Sequence, residues 1–160
     1  MTSSKQQQHM QAAIDHVKSR LTLEHGGPFG ACIVKDDQII AMGHNTILEN
    51  NDPTCHAEVN AIREACVKLG THELDGCEIY STTEPCPMCF SAIHWAGINR
   101  IIFGTRIADV KALGFKELEI SNETMRSEGK SNVKINTDFM RDECLDLLQA
   151  WKNNTSGTTY

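Results

Sequence analysis

The sequence predicts one α/β domain in which a central sheet is covered by helices on both faces. Some stretches repeat apolar residues every three or four positions, as helices do, whereas short apolar runs bounded by turn residues are typical of strands. From about residue 56 onward the two kinds of segment alternate, which is typical of helices packed on a sheet. The 160 residues, 40% of them hydrophobic, are enough for one core, and no linker divides residues 1–160.

The first half of the chain predicts one helix and one hairpin. A helix over residues 9–25 is indicated by a stripe of apolar residues and is ended by two glycines. Strands over residues 29–34 and 39–43 are separated by a short polar stretch, which favours a hairpin. Residues 45–55 are rich in Asn, Asp and Pro and predict a loop. The helical stripe consists of Met10, Ala13, Ile14, Val17 and Leu21.

The second half predicts helices and strands in alternation. A helix over residues 56–69 stops at Gly70 and another over residues 87–96 stops at Gly97, because glycine readily ends a helix in a left-handed conformation. The remaining predicted segments, in chain order, are a strand over residues 78–82, a strand over residues 100–105, an exposed loop over residues 121–132 and a closing helix over residues 138–151.

Composition and charge limit the classes of binding partner and the cellular compartment that the sequence predicts. The net charge of −6 argues against a nucleic-acid partner, because phosphate backbones are usually bound by a basic surface. Seven cysteines, an odd number, are atypical of a disulfide framework and favour a reducing, cytoplasmic location. No apolar run approaches the ~20 residues that span a bilayer. The candidate basic cluster, which Glu117 and Glu119 interrupt, consists of Arg100, Arg106, Lys111 and Lys116.

Two motifs place metal-binding side chains at predicted helix starts: CHAEVNAIREAC at residues 55–66 and TEPCPMC at residues 83–89. Cys86 and Cys89 are three residues apart, so both sulfurs can face one side of a first helical turn, where the helix dipole favours thiolates. His56 can supply a third ligand from the preceding helix. One imidazole and two thiolates leave a fourth tetrahedral position for water, which predicts a catalytic Zn²⁺, one per subunit.

Glu58 lies two residues after His56, within reach of the same cavity at the helix start. We expect this carboxylate to act as general base, taking a proton from water and delivering protons to the substrate. His-x-Glu followed by Pro-Cys-x-x-Cys is the pattern of zinc nucleobase deaminases. The structural alternative is a closed zinc knot completed by a fourth cysteine, for which the candidates are Cys32, Cys55 and Cys66.

The chain resembles the cytidine-deaminase-like superfamily and is most similar within it to bacterial guanine deaminases and related nucleoside deaminases. Besides the metal motifs, the resemblance rests on GGPFGA at residues 26–31, GHN at 43–45, NDPT at 51–54 and AIHWA at 92–96. It implies a three-layer α/β/α cytidine-deaminase-like fold with a central mixed sheet of about five strands. Cys55 departs from the family, whose members often carry Ala before the metal-binding histidine.

The resemblance also implies four contacts to the substrate. Phe29 would stack against the base, and Asn45 would hydrogen-bond to the base edge as both donor and acceptor. The Ala57 backbone would contact the base, and Trp95 would form a wall of the pocket. The plainer alternatives are that Phe29 and Trp95 are core aromatics and that Asn45 is only a turn residue.

Two further similarities concern a second carboxylate and the end of the chain. The Gly-Phe at residues 114–115 precedes Glu117, which the resemblance implies is a second catalytic carboxylate facing the substrate amino group. The alternatives are an exposed surface Glu117, and Asp109 as the second carboxylate. The resemblance also implies a homodimer that exchanges its C-terminal segment, about residues 138–160, so that Tyr160 lines a neighbour's pocket, with a frayed terminus as the alternative.

The sequence therefore predicts zinc-dependent hydrolytic deamination of a nucleobase, and guanine converted to xanthine and ammonia is the leading hypothesis. The enzymatic alternatives are a nucleoside deaminase acting on guanosine or cytidine and a tRNA adenosine deaminase, which the FGTR segment at residues 103–106 also resembles. The non-enzymatic alternative is a zinc-stabilised binding module.

Overall fold

One mixed sheet lies at the centre of the computed structural model, which describes residues 2–154 and 158–160. Its strands are β1 (Gly30–Lys35), β2 (Gln38–His44), β3 (Cys77–Thr83), β4 (Arg100–Thr105) and β5 (Lys134–Asn136). They lie in the order β2-β1-β3-β4-β5. β1 is antiparallel to both of its neighbours, whereas β3, β4 and β5 run parallel to one another. The expected mixed sheet of about five strands is therefore confirmed.

The hairpin between β1 and β2 turns on Asp36 and Asp37, whose φ angles are 48° and 60°. A two-residue turn with positive φ at both positions matches the twist of antiparallel strands, and aspartate tolerates this backbone conformation. The predicted hairpin is confirmed. Its register pairs Gly30, the first residue of β1, with His44, the last residue of β2. The segments before β1 and after β2 therefore lie side by side at the same end of the sheet.

Helices cover both faces of the sheet. Along β4, Ile101 and Phe103 join one apolar cluster while Ile102 joins the other, because successive strand side chains point to opposite faces. The first cluster is closed by α3 and α4, and the second by α1 and α7. The helices of the described chain are α1 (Thr2–Lys18), α2 (Ile47–Asn50), α3 (Ala57–Leu69), α4 (Pro87–Trp95), α5 (Ile107–Lys111), α6 (Asn122–Glu128) and α7 (Arg141–Asn154).

The first helix differs from its prediction at both ends, because it covers Thr2–Lys18 rather than residues 9–25. After the helix, the Arg20 N–H donates to the Val17 carbonyl at 2.8 Å, a tighter turn that ends the regular α-helical pattern. Leu21 packs instead against a third apolar cluster. The predicted stripe was therefore too long because its last member belongs to a different part of the core.

Residues 121–132 were predicted to be an exposed loop, and that prediction is wrong because they contain α6. Asn122 is fully buried. Its backbone N–H donates to Glu84 Oε1 at 2.9 Å, and its side-chain Nδ2 donates to the Pro85 carbonyl at 2.6 Å. These long-range hydrogen bonds hold in place a polar segment whose local sequence does not clearly favour helix or loop. They also fix the position of the chain just before Cys86.

The remaining predicted elements agree with the structure to within a few residues, whereas α5 and β5 had no counterpart among the predicted segments. The predicted loop over residues 45–55 includes one helical turn, α2. The closing helix begins at Arg141 rather than at 138, because Asp138 and Met140 have φ angles of 57° and 49°, outside the right-handed helical region. Within the described residues, none of the helices has both the length and the apolar character required to cross a bilayer.

Candidate functional site

Three predicted metal ligands meet at the starts of two helices. His56 is the N-cap of α3 and Cys86 is the N-cap of α4, with Cys89 in the first turn of the same helix. His56 Nδ1 lies 3.6 Å from the Sγ atoms of both cysteines. Zinc–nitrogen and zinc–sulfur bonds of ordinary length at a tetrahedral angle place N and S about 3.6 Å apart. The donor set and its spacing therefore fit a Zn²⁺ ion.

The two sulfurs are electrostatically unlike. The Cys89 thiol donates a hydrogen bond to Cys86, and with the nearby His56 this lowers the pKa of Cys86 to about 4. The same neighbour, Cys86, together with burial raises the pKa of Cys89. One thiolate is thus favoured before any metal arrives, and a divalent cation would favour the second.

The closed zinc knot is not supported among the described residues, which include all seven cysteines. The group whose ligand atoms lie within 4.8 Å of one another contains His56, Cys86 and Cys89, without a fourth cysteine. Cys55 Sγ instead accepts from Asn50 Nδ2 at 3.5 Å. Three protein ligands leave room for a small molecule at the fourth position, the arrangement of catalytic rather than structural zinc.

Glu58 is 6% exposed and lies beside the metal ligands. Ser81 Oγ is 2.9 Å from Glu58 Oε1, and Cys89 Sγ is 3.4 Å from Oε2. Burial raises the pKa of the Glu58 carboxyl, so its protonated form is more accessible than in water. Because a hydroxyl both donates and accepts, Ser81 can hold the side chain in either protonation state. This role of Ser81 carried no sequence signal.

A cavity of about 240 Å³ opens in front of this centre. The lining also includes the apolar side chains of Pro53, Met88 and Leu118, none of which was predicted. Apolar side chains combined with a few converging polar groups are typical of a small-molecule site. The predicted site residues that line the cavity are Phe29, Asn45, His56, Glu58, Cys86, Glu117 and Tyr160.

Glu117 and Asp109, the two candidates for the second carboxylate, lie in different surroundings. Glu117 lines the cavity, and burial together with the charge of Cys86 raises its pKa to about 7. Asp109 accepts two hydrogen bonds from Arg141, at 2.8 and 2.9 Å, and one from the Arg106 backbone at 2.7 Å. Asp109 is therefore committed to holding α5 and α7 together, and Glu117 is the carboxylate available to a ligand.

The Asn45 side chain is fixed by its oxygen. Asn45 Oδ1 accepts from the Tyr160 hydroxyl at 2.8 Å and from the Ile47 N–H at 3.2 Å, and the residue is 2% exposed. Its two N–H donors have no partner within the part of the chain that the structure describes. The expectation that Asn45 donates and accepts together on one base edge is therefore corrected: its acceptor is occupied, so it offers a ligand hydrogen-bond donors only.

Tyr160 lies in the cavity of its own chain. Its hydroxyl accepts from the Gly27 N–H at 2.7 Å, and its carbonyl accepts from the Lys116 N–H at 2.9 Å. The ring packs edge-on against Phe115, with centroids 5.3 Å apart. Tyr160 is thus docked rather than frayed, whereas Thr158 and Thr159 are exposed; the part of the predicted polar tail at residues 155–157 lies outside the described residues.

The expected role of Trp95 as a wall of the pocket is not met within this chain. Trp95 ends α4, is 78% exposed, and lines a separate shallow surface depression beside Phe90 and Met125. The reason is helical geometry: Cys89 is six residues earlier on the same helix, so about 9 Å of axial rise separates the two.

Phe29 lines the site with its ring, whereas Ala57 can offer a ligand only its backbone. The Phe29 ring lines the cavity and packs edge-on against Phe115, with centroids 5.2 Å apart. Ala57 is the first residue of α3, and its side chain is fully buried away from the cavity. Its backbone N–H belongs to the first helical turn, where such donors lack partners within the helix, so any ligand contact would be made by the backbone.

Glu84 lines part of the cavity and anchors the segment just before the metal ligands, and sequence reasoning missed it. It is 5% exposed and accepts hydrogen bonds from the backbone N–H groups of Ile107, at 3.2 Å, and Asn122. Because Glu84 lies two residues before Cys86, these bonds anchor the strand-to-helix turn that aims the thiolate. Its place inside the TEPCPMC motif was the only available signal.

Comparison with known proteins gives consistent matches. A family model described as the cytidine and deoxycytidylate deaminase zinc-binding region matches residues 3–105. The guanine deaminase of Bacillus subtilis strain 168 is 42% identical over 135 residues, which cover 84% of this chain and 86% of that protein. A tRNA-specific adenosine deaminase of Aquifex aeolicus is 51% identical over 76 residues, but these cover 48% of this chain and 50% of that protein.

A solved structure matches over nearly the whole chain. The structure of a guanine deaminase from Nitrosomonas europaea superposes with a TM-score of 0.82 at 30% identity, covering 91% of this chain and 83% of that one. The region matched by the family model, residues 3–105, includes both metal motifs.

Proposed function

The chain belongs to the cytidine and deoxycytidylate deaminase family of zinc-dependent hydrolytic enzymes, and from this premise we propose that it converts guanine to xanthine and ammonia. The observation that carries the proposal is one cavity lined by Glu58 beside the metal ligands, by a second carboxylate, Glu117, and by the Asn45 amide. Two carboxylates and one set of amide donors suit a base that presents both N–H groups and acceptors.

Glu58 is the proton carrier of the proposed reaction. His56, Cys86 and Cys89 would hold Zn²⁺, which when bound would supply a water activated near neutral pH. The Glu58 carboxylate takes one proton from the attacking water as the water oxygen bonds to C2 of guanine, and delivers that proton to ring N3. Glu58 then takes the second proton, from the hydroxyl formed on C2, and delivers it to the amine. The C2–N bond breaks, ammonia leaves and the C2 carbonyl of xanthine remains. Burial of Glu58, which raises its pKa, brings its proton affinity closer to that of the groups it serves.

Glu117 and Asn45 account for the choice of guanine. Guanine presents N1–H and a 2-amino group, which a carboxylate accepts, whereas adenine presents an unprotonated N1 that a carboxylate would repel. The available N–H donors of Asn45 suit a purine oxygen or ring nitrogen. Phe29 offers an apolar surface for the flat base.

The second candidate, deamination of tRNA adenosine, is supported by matches to tRNA-specific adenosine deaminases, one of which, from Buchnera aphidicola, is 36% identical over 79% of this chain. The surface argues against it. Arg100 pairs with Glu78, Arg106 with Asp138 and Lys111 with Glu119. Most of the candidate basic cluster is therefore neutralised within the chain, which leaves little positive charge for a phosphate backbone.

The proposal is tested with purified zinc-loaded protein by measuring ammonia release from guanine, guanosine, adenine, cytidine and an unmodified tRNA. Guanine is expected to give the highest kcat/KM by at least about tenfold. Turnover confined to guanosine or cytidine would contradict guanine as the substrate but would leave the proposed mechanism unchanged. Turnover confined to the tRNA, falling steeply with salt, would favour the second candidate.

Replacing Glu117 with glutamine is expected to lower kcat/KM for guanine by roughly tenfold to a hundredfold, the size of a lost hydrogen bond to a charged group. An amide retains one acceptor but sets an N–H group against the donors of guanine. Glu119→Gln, an exposed change on the same segment, is the matched control and should behave like the parent enzyme. Equal kinetics in both variants would remove Glu117 from the site.

We further propose a cytoplasmic homodimer in which the C-terminal segment, about residues 138–160, is exchanged between subunits. Three features support it: Trp95 and Leu118 are 78% and 67% exposed, Tyr160 makes contacts that a second copy could make equally well, and the seven cysteines are unpaired thiols suited to a reducing compartment.

The exchange is tested by complementation between two inactive chains. Tyr160→Ala is expected to lower kcat/KM by at least about tenfold, because Asn45 and Gly27 lose a hydrogen-bond partner. In an exchanged dimer, each mixed dimer of Tyr160→Ala with Glu58→Gln has one site that holds both native residues. The isolated mixed dimer should therefore recover about half of the parent activity, and the unseparated co-expressed sample, in which about half of the dimers are mixed, about a quarter. Light scattering establishes the mass. A monomer, or a dimer whose mixed form stays inactive, would contradict the exchange.

A further inference from the structure

Three histidines and one glutamate form a second cluster of potential ligands, away from the thiolates. His44 ends β2, and its Nε2 lies 3.2 Å from His25 Nδ1, in the segment after α1. His25 Nδ1 is in turn 3.3 Å from Glu49 Oε2 on α2. On the other side of the central ring, His44 Nδ1 lies 3.1 Å from His16 Nε2 on α1. The cluster therefore joins side chains from α1, the segment after α1, β2 and α2.

The spacing of three of these side chains matches a tetrahedral metal site. Bonds of ordinary length from zinc to imidazole nitrogen and carboxylate oxygen separate adjacent ligand atoms by about 3.3 Å. The observed separations from His25 Nδ1 are 3.2 Å to His44 Nε2 and 3.3 Å to Glu49 Oε2. All three ligand atoms lie within 4.8 Å of one another. A small movement of the exposed Glu49 side chain would bring its carboxylate to the same spacing from His44 Nε2.

His16 serves as the outer partner of such a site. When His44 binds a cation through Nε2, its other nitrogen, Nδ1, carries the proton and donates it to His16 Nε2. This contact fixes the tautomer and the orientation of the ligating ring, as the outer hydrogen bonds of metal-binding histidines do. The nearby Arg20 guanidinium donates to the His16 carbonyl and to Ser19, which directs it away from the ligand atoms.

The backbone holds the ligands together before any ion is bound. The His25 carbonyl accepts from the N–H groups of Leu48 and Glu49, at 3.0 and 3.1 Å. Two ligands are thus tied through one short backbone contact, which lowers the entropic cost of ordering the site. The side chains of His25 and Glu49 are 28% and 49% exposed, so a cation can enter from solvent.

We propose that His25, His44 and Glu49 bind a second divalent transition-metal ion, Zn²⁺ or an ion of similar preference, independent of the thiolate site. Two imidazoles and one carboxylate suit Zn²⁺, Ni²⁺ and Co²⁺, whereas Mg²⁺ and Ca²⁺ prefer an all-oxygen shell. The site adjoins the catalytic cavity, because Asn45 directly follows His44, and Gly27, which donates to Tyr160, lies two residues after His25.

The test is a Co²⁺ titration of the metal-stripped full-length chain, followed by absorption. Two equivalents are expected: one with an intense thiolate-to-cobalt charge-transfer band, and one with only the weaker d–d bands of nitrogen and oxygen ligands. Elemental analysis after exchange into Zn²⁺ should likewise give two equivalents. The two spectral signatures separate the sites without reference to activity.

Two variants isolate the second site. His25→Gln and Glu49→Gln should each lower the affinity for the second equivalent by at least about tenfold and leave the thiolate band intact. His72→Gln, whose side chain is 89% exposed elsewhere on the surface, is the matched control and should retain both equivalents. A parent chain that binds one equivalent, or a second equivalent unaffected by both variants, would overturn the proposal and leave the cluster a hydrogen-bonded chain of imidazoles.

Discussion

Glutamine in place of Glu58 is expected to reduce turnover by at least ~100-fold while the fold and the metal content stay unchanged, because a positioned proton carrier contributes at least that much. Glutamine is nearly isosteric and can still bond to Ser81, which lies 2.9 Å from the carboxylate, so the packing of the buried side chain is preserved. The amide group, however, is neither acidic nor basic enough near neutral pH to donate or accept the transferred protons.

The loss is measured as the rate of ammonia release from guanine, with elemental analysis of zinc and the thermal unfolding midpoint determined on the same preparation. Glu73→Gln replaces a carboxylate that is 77% exposed and serves as the control. Parent-like turnover in Glu58→Gln would remove Glu58 from the chemistry. Such a result would also revive the zinc-stabilised binding module, for which this substitution changes nothing measurable.

Removal of one thiolate is expected to be more severe. Cys89→Ala leaves the thiolate site with His56 and Cys86 only, and two ligands do not hold Zn²⁺ against dialysis. We expect the retained zinc to fall by one equivalent relative to the parent chain. Turnover should fall on the order of a thousandfold or more, because the metal accounts for several kcal/mol of transition-state stabilisation.

The control for this experiment is Cys66→Ala, which removes a thiol on α3 that packs in the apolar core away from the ligands. Cys66→Ala should keep the parent zinc content and activity, even with a small loss of stability. Full zinc retention by Cys89→Ala would show that another residue completes the site and would contradict the three-ligand arrangement. The thiolate charge-transfer band of the cobalt form reports the same outcome independently of catalysis.

Local patterns predicted the elements that bear the catalytic centre. Gly70 does adopt the left-handed conformation that ends α3, with φ of 65°, and the strand at residues 100–105 matches its prediction. Predictions failed where long-range contacts decide. The polar segment of α6 is held by hydrogen bonds from Asn122 to Glu84 and Pro85. No pattern in the local sequence predicted those partners.

By itself the sequence predicted the candidate metal ligands and the candidate proton carrier. Cys86 and Cys89 lie within one helical turn, and Glu58 lies two residues from His56, so the helical repeat nearly fixes their relative positions once each helix begins. These short-range relations hold whatever the rest of the chain does.

Only the tertiary structure decided which other groups reach the cavity. It brought Tyr160 to Asn45 across 115 positions of sequence, assigned Asp109 to an ion pair rather than to the substrate, and turned Trp95 toward solvent. The physical reason is that groups far apart in sequence meet through the packing of whole helices and strands, which depends on the shapes of all the buried side chains together.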